Sequence, residues 1–122
     1  MAILRFAKLH GTANDFVYVD ARAGFPGDPA ALAPRLCDRR RGIGADGLIL
    51  LESSAAADCR MTIYNADGSR AEMCGNGIRG LAKFVHDRGL VTADPLCAIA
   101  RWNNPLAAGI PSSVLTFAPP PD

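Results

Sequence analysis

Apolar and polar positions alternate with different periods along this chain, and the changes of period mark its elements. Ile78, Leu81, Ala82 and Val85 fall at i, i+3, i+4 and i+7, one face of an α-helix. Arg79, Lys83, His86 and Asp87 fall on the other face, and Gly89 supplies a stop. Ahead of that helix, residues 60–65 and 69–73 read as two strands of a hairpin. They are joined at Asp67-Gly68, residues that tolerate the positive φ of a tight turn. Residues 48–51 are a continuous apolar run, suited to a buried strand. Residues 16–19 form a β-rich run ending at Asp20, and residues 3–7, with Leu4 and Phe6 around Arg5, form a short strand before it. Polar residues 8–15 between these two read as a turn, with Asn14 at its tip.

Asp28-Pro29 is an N-cap followed by a first-turn proline, and residues 30–40 read as a helix with Leu32 and Leu36 turned inward. Pro34 interrupts this, because a proline inside a helix costs about 3 kcal/mol. A start at Pro29 and a start at Pro34 both remain open. Arg39-Arg40-Arg41 reads as the solvated end of that helix, with cations near the negative end of its dipole. The glycine-rich turn Gly42-Ile43-Gly44-Ala45-Asp46-Gly47 lacks a Gly-Lys-Ser/Thr ending and leads into a strand, so no phosphate role is assigned to it. Residues 90–96 read as a loop into a further strand. From Cys97 no period is sustained, and Asn103-Asn104-Pro105, Gly109, Pro111 and Pro119-Pro120-Pro121 give an irregular, loosely packed tail over 97–122.

The chain has 122 residues, 49% apolar and 20% charged, which suits one domain with a modest core. A net charge of +1 gives no reason to expect nucleic acid or an anionic membrane as a partner. No stretch approaches a membrane span, and residues 1–7 lack the apolar core of a signal peptide. Cys37, Cys59, Cys74 and Cys97 form no CxxC pair, and the only histidines are His10 and His86, so no metal site is expected. Without export, reduced thiols in the cytoplasm are the expectation.

Cys74 lies just ahead of a helix N-terminus, followed by Gly75, Asn76 and Gly77. Unpaired N–H groups and the positive dipole end lower a thiol pKa there and also hold a carboxylate. A small buried thiol at a hairpin–helix corner is the competing reading. Local chemistry leaves both open.

Three blocks occur in one order: His10-Gly11-Thr12-Ala13-Asn14-Asp15-Phe16, Asp38 through Leu48, and Asn65-Ala66-Asp67-Gly68-Ser69 through Met73-Cys74-Gly75-Asn76-Gly77-Ile78-Arg79. Together they resemble the N-terminal half of the diaminopimelate epimerase family, over about residues 3–95. The resemblance implies an α/β (α+β) fold: a mixed, largely antiparallel sheet wrapped around a central helix, one of two pseudo-symmetric domains. It implies an enzyme of lysine biosynthesis that interconverts LL- and meso-diaminopimelate without pyridoxal phosphate, metal or other cofactor. One cysteine thiolate removes the α-proton and a second cysteine thiol protonates the opposite face. By position, Cys74 resembles the catalytic cysteine of this half. Gly75 and Asn76 resemble substrate-binding residues at the helix start, and Asn14 and Asn65 resemble side-chain contacts to an amino-acid substrate.

The chain also departs from the family pattern. Ala13 stands where glycine is usual, and Gly47 stands where some members carry a substrate-touching glutamine. The family chain is roughly twice as long and carries a second Cys-Gly block, whereas Cys97 is followed by Ala98-Ile99-Ala100. The expectation is therefore a family-like domain over 1–96, in a fragment or a chain with a shifted frame near residue 97. The alternatives are a catalytically inactive substrate-binding half-domain, a homodimer in which two copies of Cys74 face each other, and a related racemase or isomerase of the same fold.

Overall fold

The two continuous apolar runs become adjacent strands buried on both faces. The computed structural model describes residues 4–11, 14–55, 58–71, 75–90, 96–100 and 113–117. Its elements are β1 (Ala7–Gly11), β2 (Asn14–Asp20), α1 (Pro29–Leu36), β3 (Gly47–Glu52), β4 (Cys59–Asn65), α2 (Gly75–Arg88), β5 (Leu96–Ala100) and β6 (Ser113–Phe117). All six strands form one mixed sheet in sequence order. The pairs β1/β2, β3/β4 and β5/β6 are antiparallel; β2/β3 and β4/β5 are parallel. The parallel pairs are the ones bridged by helices, since a parallel connection must cross back over the sheet.

Period two sorts the core into two layers. Phe16, Tyr18, Ile49, Leu51, Met61 and Ile63 face α2, where Leu81, Phe84 and Val85 meet them. Val17, Val19, Leu48 and Leu50 face the other way, onto Ala33 and Cys37 of α1 and its exit. α2 packs across β1, β2, β3 and β4, and so is the helix around which this part of the sheet is built. Leu81 and Val85 are buried as their spacing predicts, and Phe84 joins them.

Several sequence-based boundaries move. The first strand is Ala7–Gly11 rather than residues 3–7, and it runs into the stretch read as a polar turn. Ala7 and Leu9 pack on the core, Lys8 and His10 alternate outward, and Phe6 is exposed. The ladder decides this: Gly11 pairs with Asn14, so both strands continue almost to the end of the hairpin. Residues 72–74 of the second hairpin lie outside the described residues; before them a Tyr64–Arg70 bridge and the Ala71 N–H, donating to Ile63 O at 2.9 Å, pair that side with β4. A strand follows residues 90–96, as read, but at Leu96–Ala100, and it and a further strand at Ser113–Phe117 occupy parts of 97–122, the stretch read as an irregular tail. Their specification comes from pairing with β4 and with each other, which no local period announces.

α1 begins at Pro29, with the Asp28 carboxylate accepting the Ala30 N–H at 3.1 Å, and Pro34 lies inside it. Pro34 has no N–H to give the Ala30 carbonyl. Gly68, at φ +91°, packs there, and a Cβ on it would collide with Ala30 O. The helix ends at Leu36, so the three arginines are not its last turn. The Asp38 carboxylate instead accepts the Arg40 and Arg41 N–H groups, and the loop folds back so that Ile43 and Gly44 donate to Leu36 O. The Leu36 and Cys37 carbonyls at the helix exit are satisfied by this loop, which carries Asp46 to the start of β3.

Candidate active site

The sheet gathers the candidate residues by register. Asn14 opens β2, Gly47 opens β3 and Asn65 closes β4. Gly47 pairs with Phe16 on one side and Asn65 on the other, so both asparagines lie at one end of the sheet. α2 starts at this same end. Beyond its far end, the Leu90 carbonyl accepts Arg22 Nη1 at 2.6 Å, and Arg22 is paired to Asp20, the last residue of β2. The first turn is pinned to β2 by the Tyr18 hydroxyl, which donates to Gly77 O at 2.9 Å. Gly80 follows on the same helix face, and its missing Cβ leaves the space the Tyr18 ring occupies.

Of the sequence-predicted residues, Asn14 and Asn65 therefore lie at the end of the sheet where α2 begins with Gly75 and Asn76. Cys74, the residue before Gly75, lies outside the described residues. Gly47 is buried, and a Cβ there would lie 2.8 Å from Tyr64 O and 3.2 Å from Phe16 Cδ1. The backbone at this position is fitted to glycine, in keeping with its departure from the glutamine pattern.

A charged cluster that local reading missed holds Asn14. Asp46 Oδ2 accepts Asn14 Nδ2 at 3.3 Å and the Asp15 N–H at 3.1 Å. The Asp46 N–H returns to Asp15 O at 2.8 Å. Arg39 grips both oxygens of Asp15, at 3.0 and 2.8 Å, and reaches Asp46 Oδ1 at 3.2 Å. Lys8 adds an ion pair to Asp15 at 3.2 Å. The Arg39 guanidinium holds the Asp15 carboxyl well below the usual carboxylate range, against the opposing effect of burial, and Lys8 adds to the lowering. Asp15 in turn raises the Arg39 pKa. Arg39, Asp15 and Asp46 were all visible in the sequence, but their partnership spans up to 31 positions and no local period signals it.

Asn65 is held from its own hairpin. Its Nδ2 donates to Ser69 Oγ at 3.0 Å, and the Ser69 hydroxyl donates to Asp67 Oδ1 at 2.6 Å. The Ser69 hydroxyl and N–H lower the Asp67 pKa. Gly68 N–H to Asn65 O and Asn65 N–H to Ser69 O close the turn. Cys37 and Cys59 are buried, and burial, with Asp15 adding to it, pushes the Cys37 thiol up. Among the described residues no group of three or more His, Cys, Asp or Glu is placed to hold a metal ion, and no helix is long and apolar enough to cross a membrane.

Two amide side chains beside the start of a 14-residue helix make an end suited to binding a carboxylate and to stabilising negative charge that develops next to it. A family model described as diaminopimelate epimerase matches residues 6–98. The diaminopimelate epimerase of Desulforudis audaxviator is 55% identical over 94 residues, covering 76% of this chain and 34% of that protein. The diaminopimelate epimerase of Caldanaerobacter subterraneus subsp. tengcongensis is 54% identical over 89 residues, covering 73% and 32%. The chain thus spans about a third of the length of these relatives. Among solved structures, methylitaconate-delta-isomerase superposes with a TM-score of 0.65 at 16% identity, over 80% of this chain and 31% of that one. A Bacillus anthracis phenazine biosynthesis protein of the PhzF family gives 0.57 at 21% identity, over 78% and 31%. These two likenesses establish the fold.

Proposed function

Because the chain belongs to the diaminopimelate epimerase family, we propose that it supplies one half-site of a cofactor-independent amino-acid epimerase. The substrate pair is LL- and meso-diaminopimelate, and the reaction serves lysine biosynthesis in the cytoplasm. The observation that carries this reading is the convergence of Asn14, Asn65 and the start of α2 on one end of the sheet.

In this half-site the Cys74 thiolate takes the α-proton and becomes a thiol. The electron pair left on the α-carbon takes a proton from a second thiol on the opposite face, which becomes the thiolate. The next turnover in the reverse direction restores both. An α-C–H is a very weak acid, so the carbanion requires a fixed positive field beside it. Backbone N–H groups at Gly75 and Asn76 and the dipole of α2 supply that field and bind the α-carboxylate. Asn14 and Asn65 bind the substrate's remaining polar groups. The same field lowers the Cys74 pKa toward the working pH, where both the thiolate and the thiol forms are needed.

One cysteine cannot occupy both faces of a carbon. Residues 1–122 alone are therefore expected to give negligible epimerisation, while Cys74 reacts with a neutral alkylating reagent near pH 7 faster than an ordinary exposed thiol. A Cys74 no faster than free cysteine counts against the activated thiol. Stereoinversion with α-proton exchange into deuterated solvent by residues 1–122 counts against the half-site and favours a homodimer with two copies of Cys74 facing each other. The second reading is a substrate-binding half-domain without turnover. Ordinary Cys74 reactivity together with ligand binding is its signature.

A further inference from the structure

We propose that Asp46 and Ser69 are positioning residues, each taking the Nδ2 group of one asparagine at the sheet's end and so fixing which way that amide points. The proposal rests on the reading of Asn14 and Asn65 as substrate contacts. An asparagine amide offers a donor NH₂ and an acceptor oxygen of nearly the same shape, so its neighbours decide the flip. An ionised carboxylate only accepts. Asp46 Oδ2 accepts both Asn14 Nδ2 and the Asp15 N–H, and turning Asn14 over would set its oxygen against that carboxylate. Asp46 is itself held, because Arg39 binds its Oδ1 while gripping Asp15, and the Asp46 N–H is bonded to Asp15 O.

Asn65 is fixed by the same logic through one intermediary. The Ser69 hydroxyl proton is committed to Asp67 Oδ1, so Ser69 Oγ receives Asn65 Nδ2 as an acceptor. A turned Asn65 would bring oxygen to oxygen with no proton between them. A carboxylate therefore sets the amide directly at Asn14 and through a hydroxyl at Asn65. In each case the amide oxygen is directed to the side away from its positioning residue. A ligand then meets two preset amides, which lowers the ordering cost of binding and fixes which of its groups each can accept.

The test is the side-chain NH₂ resonances of the ¹⁵N-labelled chain, assigned with Asn14→Ala and Asn65→Ala. Asp46→Ala should displace the Asn14 pair and speed its hydrogen exchange about tenfold, the size of one lost hydrogen bond, with the Asn65 pair in place. Ser69→Ala should do the reverse, and Ser69→Thr, which keeps the hydroxyl, should restore the Asn65 pair. Asp46→Glu keeps the acceptor and should give an intermediate Asn14 pair; it also serves if Asp46→Ala does not fold, as judged by backbone amide dispersion. An Asn14 pair unmoved by both Asp46 variants, or an Asn65 pair unmoved by Ser69→Ala, overturns the proposal at that residue. Titration with meso-diaminopimelate tests the underlying reading separately. Pairs that respond to their positioning variants but not to this ligand remove the asparagines as substrate contacts and leave the positioning intact.

Discussion

Gly80→Ala is the sharpest test of how α2 is seated on the sheet. On an exposed helix the change stabilises by about 1 kcal/mol, because glycine is the poorer helix former. Here the new Cβ would lie 2.7 Å from Tyr18 Cζ and closer still to Tyr18 Oη, where ordinary contact begins at 3.4 Å. The ring or the helix must give by roughly 0.7 Å or more, and a dense interior has little room for that. Tyr18 is 1% exposed, with Phe16 at 6.3 Å and Phe84 at 5.8 Å between ring centroids. Overpacking of this kind costs about 1–3 kcal/mol. Displacing the Tyr18 hydroxyl from Gly77 O costs about another 0.5–1.5 kcal/mol. Set against the helix gain, the net expectation is a destabilisation of about 0.5–3.5 kcal/mol. Urea unfolding followed by far-UV circular dichroism measures it, with an unchanged m-value confirming that stability and not the unfolded state has moved. The double variant with Tyr18→Phe removes the nearest atom, so Gly80→Ala should cost less in that background, a coupling of at least about 0.5 kcal/mol for residues in contact. A Gly80→Ala chain more stable than the parent would refute the close seating of α2 on Tyr18.

Three further outcomes follow from the same geometry. Gly68→Ala forces an alanine to φ +91° with its Cβ against Ala30 O, and should lower stability by about 1–3 kcal/mol, read as a fall in Tm. Asp15 and Asp20 have folded pKa values depressed by Arg39 and Arg22, so the stability they contribute is present above about pH 4, the unfolded value, and is lost as pH falls through the folded values. Asp15→Asn should therefore flatten the loss of stability below that pH, and an unchanged acid limb in urea titrations at stepped pH would count against the ion pair. Cys37 and Cys59, both buried, should react with a neutral disulfide reagent only as the chain unfolds. Immediate modification of either in the folded chain would contradict the packing.

Much of this protein is legible locally. The i, i+3, i+4, i+7 spacing of Ile78, Leu81, Ala82 and Val85 fixes α2, and Gly89, at φ +61°, ends it. Asp28-Pro29 starts α1, and the runs through Val17 and Leu48 make strands whose alternate residues are claimed by opposite layers. The motif blocks also identify the family, because they record residue types at fixed separations. What the sequence could not decide were the features made by pairing across the chain. β1 lies four residues beyond its expected start because its register with β2, not the alternation of Leu4 and Phe6, chooses which residues turn inward. Arg39 reads as a helix-end cation until the loop after α1 folds back and sets it on Asp15 and Asp46. Pro34 reads as a breaker until the turn at Gly68 is seen to occupy the place its missing N–H leaves at Ala30. Periodicity reports burial against a single neighbouring layer. Ladders, ion pairs and close backbone approaches depend on residues tens of positions apart, and only the tertiary structure brings those to hydrogen-bonding distance.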